Sequence, residues 1–217
     1  GGKSASTTQQ SEAVISYPVD MPKGQLPTSI RPSHYQLDLK IIPENSDFSG
    51  KVVIDLTFDV ATHHLWIHGQ DMTVHSSDLT LADGRHIPVS YEQVDPTGIV
   101  KLTFGEQINP GQAKLTLDYQ GKVSDALQGI YRVKDGDHSY TYTQFEAIDA
   151  RRAFPGFDEP GFKVTYDIAV TVPTGFEALA NTPETGREDL GDGFTRVTFA
   201  RSKPLPSYLV AFAVGPF

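Results

Sequence analysis

Tyr35-Gln36-Leu37-Asp38-Leu39-Lys40-Ile41 alternates apolar and polar side chains without a break. In an extended chain this puts Tyr35, Leu37, Leu39 and Ile41 on one face and the polar set on the other, the signature of a half-buried strand. The same period of two returns in Val52, Ile54, Leu56, Phe58 and Val60, and in Val100, Leu102 and Phe104. It returns again in Leu115, Leu117 and Tyr119, and in Tyr166, Ile168, Val170 and Val172. Five such strands imply stacked or curved antiparallel sheets. Tyr208 to Val214 is apolar on both faces and predicts a central strand covered on both sides.

Turn chemistry agrees. Asp83-Gly84, Asp135-Gly136 and Asp192-Gly193 lie between strand-like runs and supply the positive φ that tight hairpins need, and Pro110-Gly111 adds a fourth turn. A 3.6-residue period is sustained nowhere; Ile148 to Ala153 allows one or two helical turns before Pro155 stops them. The fold class is therefore all-β, a sandwich of large antiparallel sheets over residues 25-217 with at most one short helix. Residues 1-24 lack an apolar face and predict a flexible or extended lead-in. Their Gly/Ser/Thr/Gln-rich start is like the tether of a bacterial lipoprotein, or an ordinary chain terminus.

Composition narrows the function. The 217 residues contain no cysteine, which excludes disulfides, thiolate metal sites and a cysteine nucleophile. With 18 Lys+Arg against 27 Asp+Glu the net charge is −9, the wrong sign for a phosphate-backbone binder, so no nucleic acid partner is expected. Apolar runs fall well short of the roughly 20 residues of a membrane-spanning helix, so no transmembrane segment is expected. His63, His64 and His68 cluster in His-His-Leu-Trp-Ile-His. In a strand, however, residues four apart are separated by about 13 Å, whereas two ligands of one zinc lie about 3 to 4 Å apart. Neither a His-Glu-x-x-His helix, a nucleophile elbow nor a phosphate loop occurs.

One stretch departs from the alternating background, Tyr142 to Pro160. It packs four acidic residues (Glu146, Asp149, Asp158, Glu159) and two arginines (Arg151, Arg152) among three phenylalanines and two prolines. Such density invites carboxylate-to-arginine pairing that orients the backbone of a turn; a solvated connection between sheets is the other reading.

This stretch resembles the signature of the aminopeptidase N family of zinc aminopeptidases, gluzincins whose first domain is a saddle-shaped all-β unit. The matching residues are Gln144-x-Glu146, Ala150-Arg151 and Phe154-Pro155-Gly156-Phe157-Asp158-Glu159-Pro160. Further landmarks follow the family's order: Leu26-Pro27, Arg31-Pro32-x-x-Tyr35, Gly129-Ile130-Tyr131, Ala180-Asn181-Thr182-Pro183 and Pro206 to Gly215. Gly156 stands where the pattern has cysteine, a loss that puts little in doubt by itself.

The resemblance implies an N-terminal domain whose parent removes N-terminal residues from peptides. Zinc, its ligands and the other catalytic groups would lie in a downstream thermolysin-like domain, so no catalytic residue, no metal ligand and no activity are expected of this chain alone. Glu146 would bind the substrate's α-ammonium and Gln144 would line the pocket for the first side chain; alternatively either pairs with Arg151 or Arg152 as scaffold. Arg151, Asp158 and Glu159 would hold the turn. The other classes are a stand-alone β-sandwich binding module and a non-peptidase relative of the bacterial envelope. Periplasm or envelope and cytoplasm both fit the composition.

Overall fold

The computed structural model describes residues 16-217. Fourteen strands follow one another: β1 (Ile30–Lys40), β2 (Asp47–Phe58), β3 (Thr62–His68), β4 (Thr73–Leu81), β5 (His86–Gln93), β6 (Ile99–Ile108) and β7 (Gly111–Lys122) come first. They are followed by β8 (Gly129–Asp135), β9 (His138–Gln144), β10 (Thr165–Pro173), β11 (Glu177–Ala180), β12 (Glu184–Asp189), β13 (Phe194–Phe199) and β14 (Phe212–Gly215). Helical structure among the described residues is limited to two 3-10 turns, Ala150–Arg152 and Ser207–Leu209.

Ten strands form one sheet in the order β12-β13-β10-β1-β2-β7-β4-β5-β6-β3, and four form a second in the order β11-β14-β9-β8. The alternating residues read from the sequence point into a shared core: Tyr35, Leu37, Leu39, Ile41, Val52, Ile54, Leu56, Leu115, Leu117 and Tyr119 are all buried. Asp83-Gly84, Asp135-Gly136 and Asp192-Gly193 close the β4-β5, β8-β9 and β12-β13 hairpins, with Gly84, Gly136 and Gly193 at positive φ. Pro110-Gly111 instead joins β6 to β7, which are not neighbours in the sheet.

Two details depart from the sequence reading. One ladder is parallel, β1 against β10, in which Tyr35 stands opposite Tyr166; so long a crossover leaves strand direction free, and alternation cannot report it. The segment expected to be a strand from Tyr208 becomes one only at Phe212. Pro206 precedes a 3-10 turn, and the Asn181 side chain binds the Leu209 carbonyl and the Ala211 N–H at 2.9 Å each, in place of ladder bonds. β14 is nevertheless an inner strand of its sheet.

The lipoprotein-like tail, residues 1-15, lies outside the described residues. Within the rest of the lead-in, Tyr17 is buried and its hydroxyl accepts the Trp66 N–H at 2.9 Å, while the Pro18 carbonyl accepts the indole N–H at 3.0 Å. An aromatic ring with a polar tip finds both packing and a partner at the end of β3.

The Tyr142 to Pro160 stretch is fastened to the large sheet at three strands. On β1, the Tyr35 hydroxyl accepts the Phe157 N–H at 2.9 Å, and its ring stacks on Tyr166 with centroids 4.9 Å apart. On β7, the buried Tyr119 hydroxyl donates to the Ala153 carbonyl at 2.8 Å. On β3, His68 and Gly156 exchange both backbone hydrogen bonds, at 2.7 and 2.9 Å. Gly156 has no room for a side chain, because a Cβ there would stand 2.8 Å from the Tyr35 hydroxyl and 2.9 Å from its ring. The glycine is therefore matched to Tyr35 rather than being merely a lost thiol. Gly156→Ala should lower unfolding stability by roughly 1–3 kcal/mol, because a tyrosine held by Tyr166 and Phe154 cannot yield. An unchanged urea midpoint would contradict this packing.

Candidate functional site

The signature divides its charges between a buried set and an exposed one. Arg151 and Asp158 form the buried set, with side chains 7% and 4% exposed. The carboxylate Oδ2 of Asp158 accepts from the Arg151 Nε at 2.9 Å and from its backbone N–H at 3.2 Å. Asp158 Oδ1 accepts from the Ser207 hydroxyl at 2.6 Å. The remaining Arg151 nitrogens donate to the Thr97 and Asp158 carbonyls at 3.1 and 3.3 Å. An ion pair removed from water holds only if its spare lone pairs and protons are also used, as they are here.

His68 completes this cluster. Its Nδ1 accepts the Asp158 N–H at 3.1 Å, so the imidazole is neutral at that nitrogen. Burial first, and then the Arg151 cation, hold its pKa down at about 3. β3 is extended from Thr62 to His68, so His64 and His68 serve different neighbourhoods; His64 Nε2 contacts the Pro18 carbonyl instead. The sequence reading set His68 aside as a strand residue. Its partner lies 90 positions away, and no local signal links them. Ser207 likewise stood only as one residue of a matching motif.

Glu159 reaches in another direction, where both carboxylate oxygens accept the Leu26 N–H, at 3.0 and 2.9 Å. Burial raises its pKa, and the Leu26 bond opposes that. Arg152 pairs with Asp149 at 3.1 Å.

Gln144 and Glu146 lie on the exposed side. Gln144 is the last residue of β9 and Glu146 follows two residues on; both are exposed, with buried Phe145 between them. The Phe145 ring sits edge-on to Phe154 and Phe212, at 6.3 and 5.9 Å, and anchors this corner to the core. Neither the Gln144 amide nor the Glu146 carboxylate has a protein partner among the described residues. The arrangement is thus a free carboxylate with a neighbouring amide, mounted on a buried, ion-paired turn. It is suited to holding a cation that also offers hydrogen-bond donors. Tyr142, on the same side of β9 as Gln144, leads onto a shallow apolar cleft with Tyr131, Leu179 and Phe212.

Among the described residues no group of three or more His, Asp or Glu side chains is close enough to hold a metal ion. No set of donors among the described residues therefore fits a zinc ion. No helix among them is long and apolar enough to cross a membrane.

The depressed pKa of His68 has a defined consequence for stability. The unfolded chain takes up a proton near pH 6.5 while the native imidazole stays neutral, so stability falls as pH drops from 6.5 towards 3. Between pH 7 and pH 5 this amounts to about 2 kcal/mol. His68→Asn keeps an acceptor near the Asp158 N–H and removes the titration. Urea unfolding at the two pH values should show a smaller acid loss in His68→Asn than in the wild type; equal losses would remove His68 as the cause.

The model of the Peptidase M1 N-terminal domain matches residues 31–209. Glutamyl aminopeptidase of Mus musculus is 31% identical over 207 residues, covering 89% of this chain and 22% of the relative. Puromycin-sensitive aminopeptidase of Caenorhabditis elegans is 34% identical over 200 residues, covering 88% and 21%. Aminopeptidase M1-B of Oryza sativa subsp. japonica is 31% identical over 199 residues, covering 90% and 22%. The chain thus spans about a fifth of the length of the curated relatives it matches. An all-β fold and a signature turn built on Arg151 and Asp158 accompany a family match over most of the chain, which belongs to the Peptidase M1 N-terminal domain family.

Proposed function

We propose that this domain is the N-terminal part of a zinc aminopeptidase and supplies the anchor for the substrate's free α-amine. The observation that carries the reading is Glu146. Of the four acidic residues in the signature, Asp149, Asp158 and Glu159 are engaged with protein donors, and Glu146 is exposed without one. A carboxylate enclosed by a neighbouring domain would bind an ammonium through a charge-assisted hydrogen bond worth about 1.5–3 kcal/mol. An internal peptide bond, which brings no ammonium, would leave it desolvated and unpaired. The site would measure position from the chain end in this way. Gln144, on the same exposed corner, would line the pocket for the first side chain.

The names of the relatives, all aminopeptidases, support the peptide substrate. The apolar cleft lined by Tyr131, Tyr142 and Phe212, with Leu179 58% exposed in it, supports a protein surface docking there. In this reading the partner is a downstream catalytic domain of the same polypeptide, which holds the zinc, its water and the general base. This domain contributes binding, orientation and exclusion of water around the amine.

Glu146→Gln in the full-length aminopeptidase should raise KM for free-amine peptides and lower kcat/KM roughly 10–100-fold, with the melting midpoint preserved because the side chain is exposed. Unchanged kinetics would refute the anchor. The 217-residue chain alone should release no N-terminal residue from a peptide even with added zinc; measurable zinc-dependent release would contradict the division of labour.

A further inference from the structure

We propose that Arg152 is a positioning residue for Glu146, a role that rests on the reading of Glu146 as the amine anchor. Glu146 stands in a five-residue loop, Phe145 to Asp149, closed by a hydrogen bond from the Asp149 N–H to the Phe145 carbonyl at 3.0 Å. The near end of the loop is fixed by Phe145, buried between Phe154 and Phe212. At the far end Ile148 is 53% exposed, and the chain re-enters the core only at Ala150, beyond Asp149. Ahead of that point the side-chain hold on the loop is Asp149, whose carbonyl accepts the Arg152 N–H at 3.0 Å and whose carboxylate accepts the Arg152 Nε–H at 3.1 Å.

Arg152 is in turn seated on β8. Its stem covers Gly129, so closely that a Cβ at Gly129 would stand 3.1 Å from the Arg152 Cβ. In the β8-β9 ladder, Gly129 is paired with Gln144. The arginine therefore ties the far end of the Glu146 loop back to the strand opposite Gln144, and the two exposed side chains of the site share one support. A second guanidinium nitrogen faces Asp71 at 3.9 Å. A lysine, with one terminal charge and no Nε–H along its stem, could not reproduce the bond to Asp149 while remaining seated on Gly129. Arg151, by contrast, is spent on the buried pair with Asp158. The two adjacent arginines divide the work: one holds the turn to the sheet, the other aims the loop.

Displacing a binding group by about 1 Å is enough to lose much of its contribution. The test uses the full-length aminopeptidase with Arg152→Leu, Asp149→Ala and Glu146→Gln, alone and with each of the first two combined with the third. Asp149→Ala removes the acceptor while leaving the Arg152 stem on Gly129, and it decides the matter should Arg152→Leu fail to fold. Either positioning variant should raise KM for free-amine peptides roughly tenfold with kcat held within about twofold. Neither should raise KM further once Glu146 is already glutamine. A merely structural role would lower kcat and the melting midpoint and would add in full to Glu146→Gln. If Glu146→Gln raises KM and the positioning variants do not, or if their effects add, the role of Arg152 is overturned and the anchor stands. If Glu146→Gln itself leaves KM unchanged, the anchor falls and the proposal with it.

Discussion

The buried pair of Arg151 and Asp158 is the interaction on which the candidate functional corner of this domain depends. It lies where a 3-10 turn, the end of β3, the loop carrying Thr97 and the approach to β14 at Ser207 converge. Removing one partner would leave an uncompensated charge in the interior, at a cost of about 3–5 kcal/mol. The pair is stable because neighbours with few alternatives complete it. Arg151 meets two carbonyls, Asp158 meets Ser207, and His68 is kept neutral by burial and by the cation beside it. The acidic surplus that marks the whole chain is here resolved into single carboxylates with single tasks.

Outward from that pair, successive contacts hold the turn before the chain reaches solvent. Tyr35 and Tyr119 bond the backbone of the signature to the large sheet. Phe145 pins the exit of β9 to the core, and Arg152 with Asp149 steadies the loop beyond it. Only then comes Glu146, exposed to solvent. In the proposed role, Glu146 would be held in place by structure that makes no contact with the ligand, so its ordering cost would be met during folding rather than on binding.

The alternation of Tyr35 to Ile41 and of its sister runs was enough to read the all-β class, because a period of two with one buried face has few other meanings. The Asp-Gly hairpins were legible for the same local reason. The parallel pairing of β1 with β10 was not, since strand direction leaves no trace in a single strand's pattern. Neither was the exposed edge strand β12, which buries none of its residues and so lacks an alternating face. At the candidate site, the resemblance already gave Arg151, Asp158 and Glu159 to the turn, but their individual partners were not legible. Asp158 and Glu159 are adjacent in sequence yet bind Arg151 and Leu26 respectively, and His68 joins through a backbone N–H. Such choices are made by chain segments about 90 and 133 residues away, which no local motif encodes.

The most direct measurement of the central claim is a crystal structure of the full-length protein with a peptide or amino acid bearing a free α-amine. The account predicts a Glu146 carboxylate oxygen about 2.7–2.9 Å from the α-nitrogen, with Gln144 beside the first side chain. An amine held entirely by groups of another domain, with Glu146 still facing solvent, would contradict it.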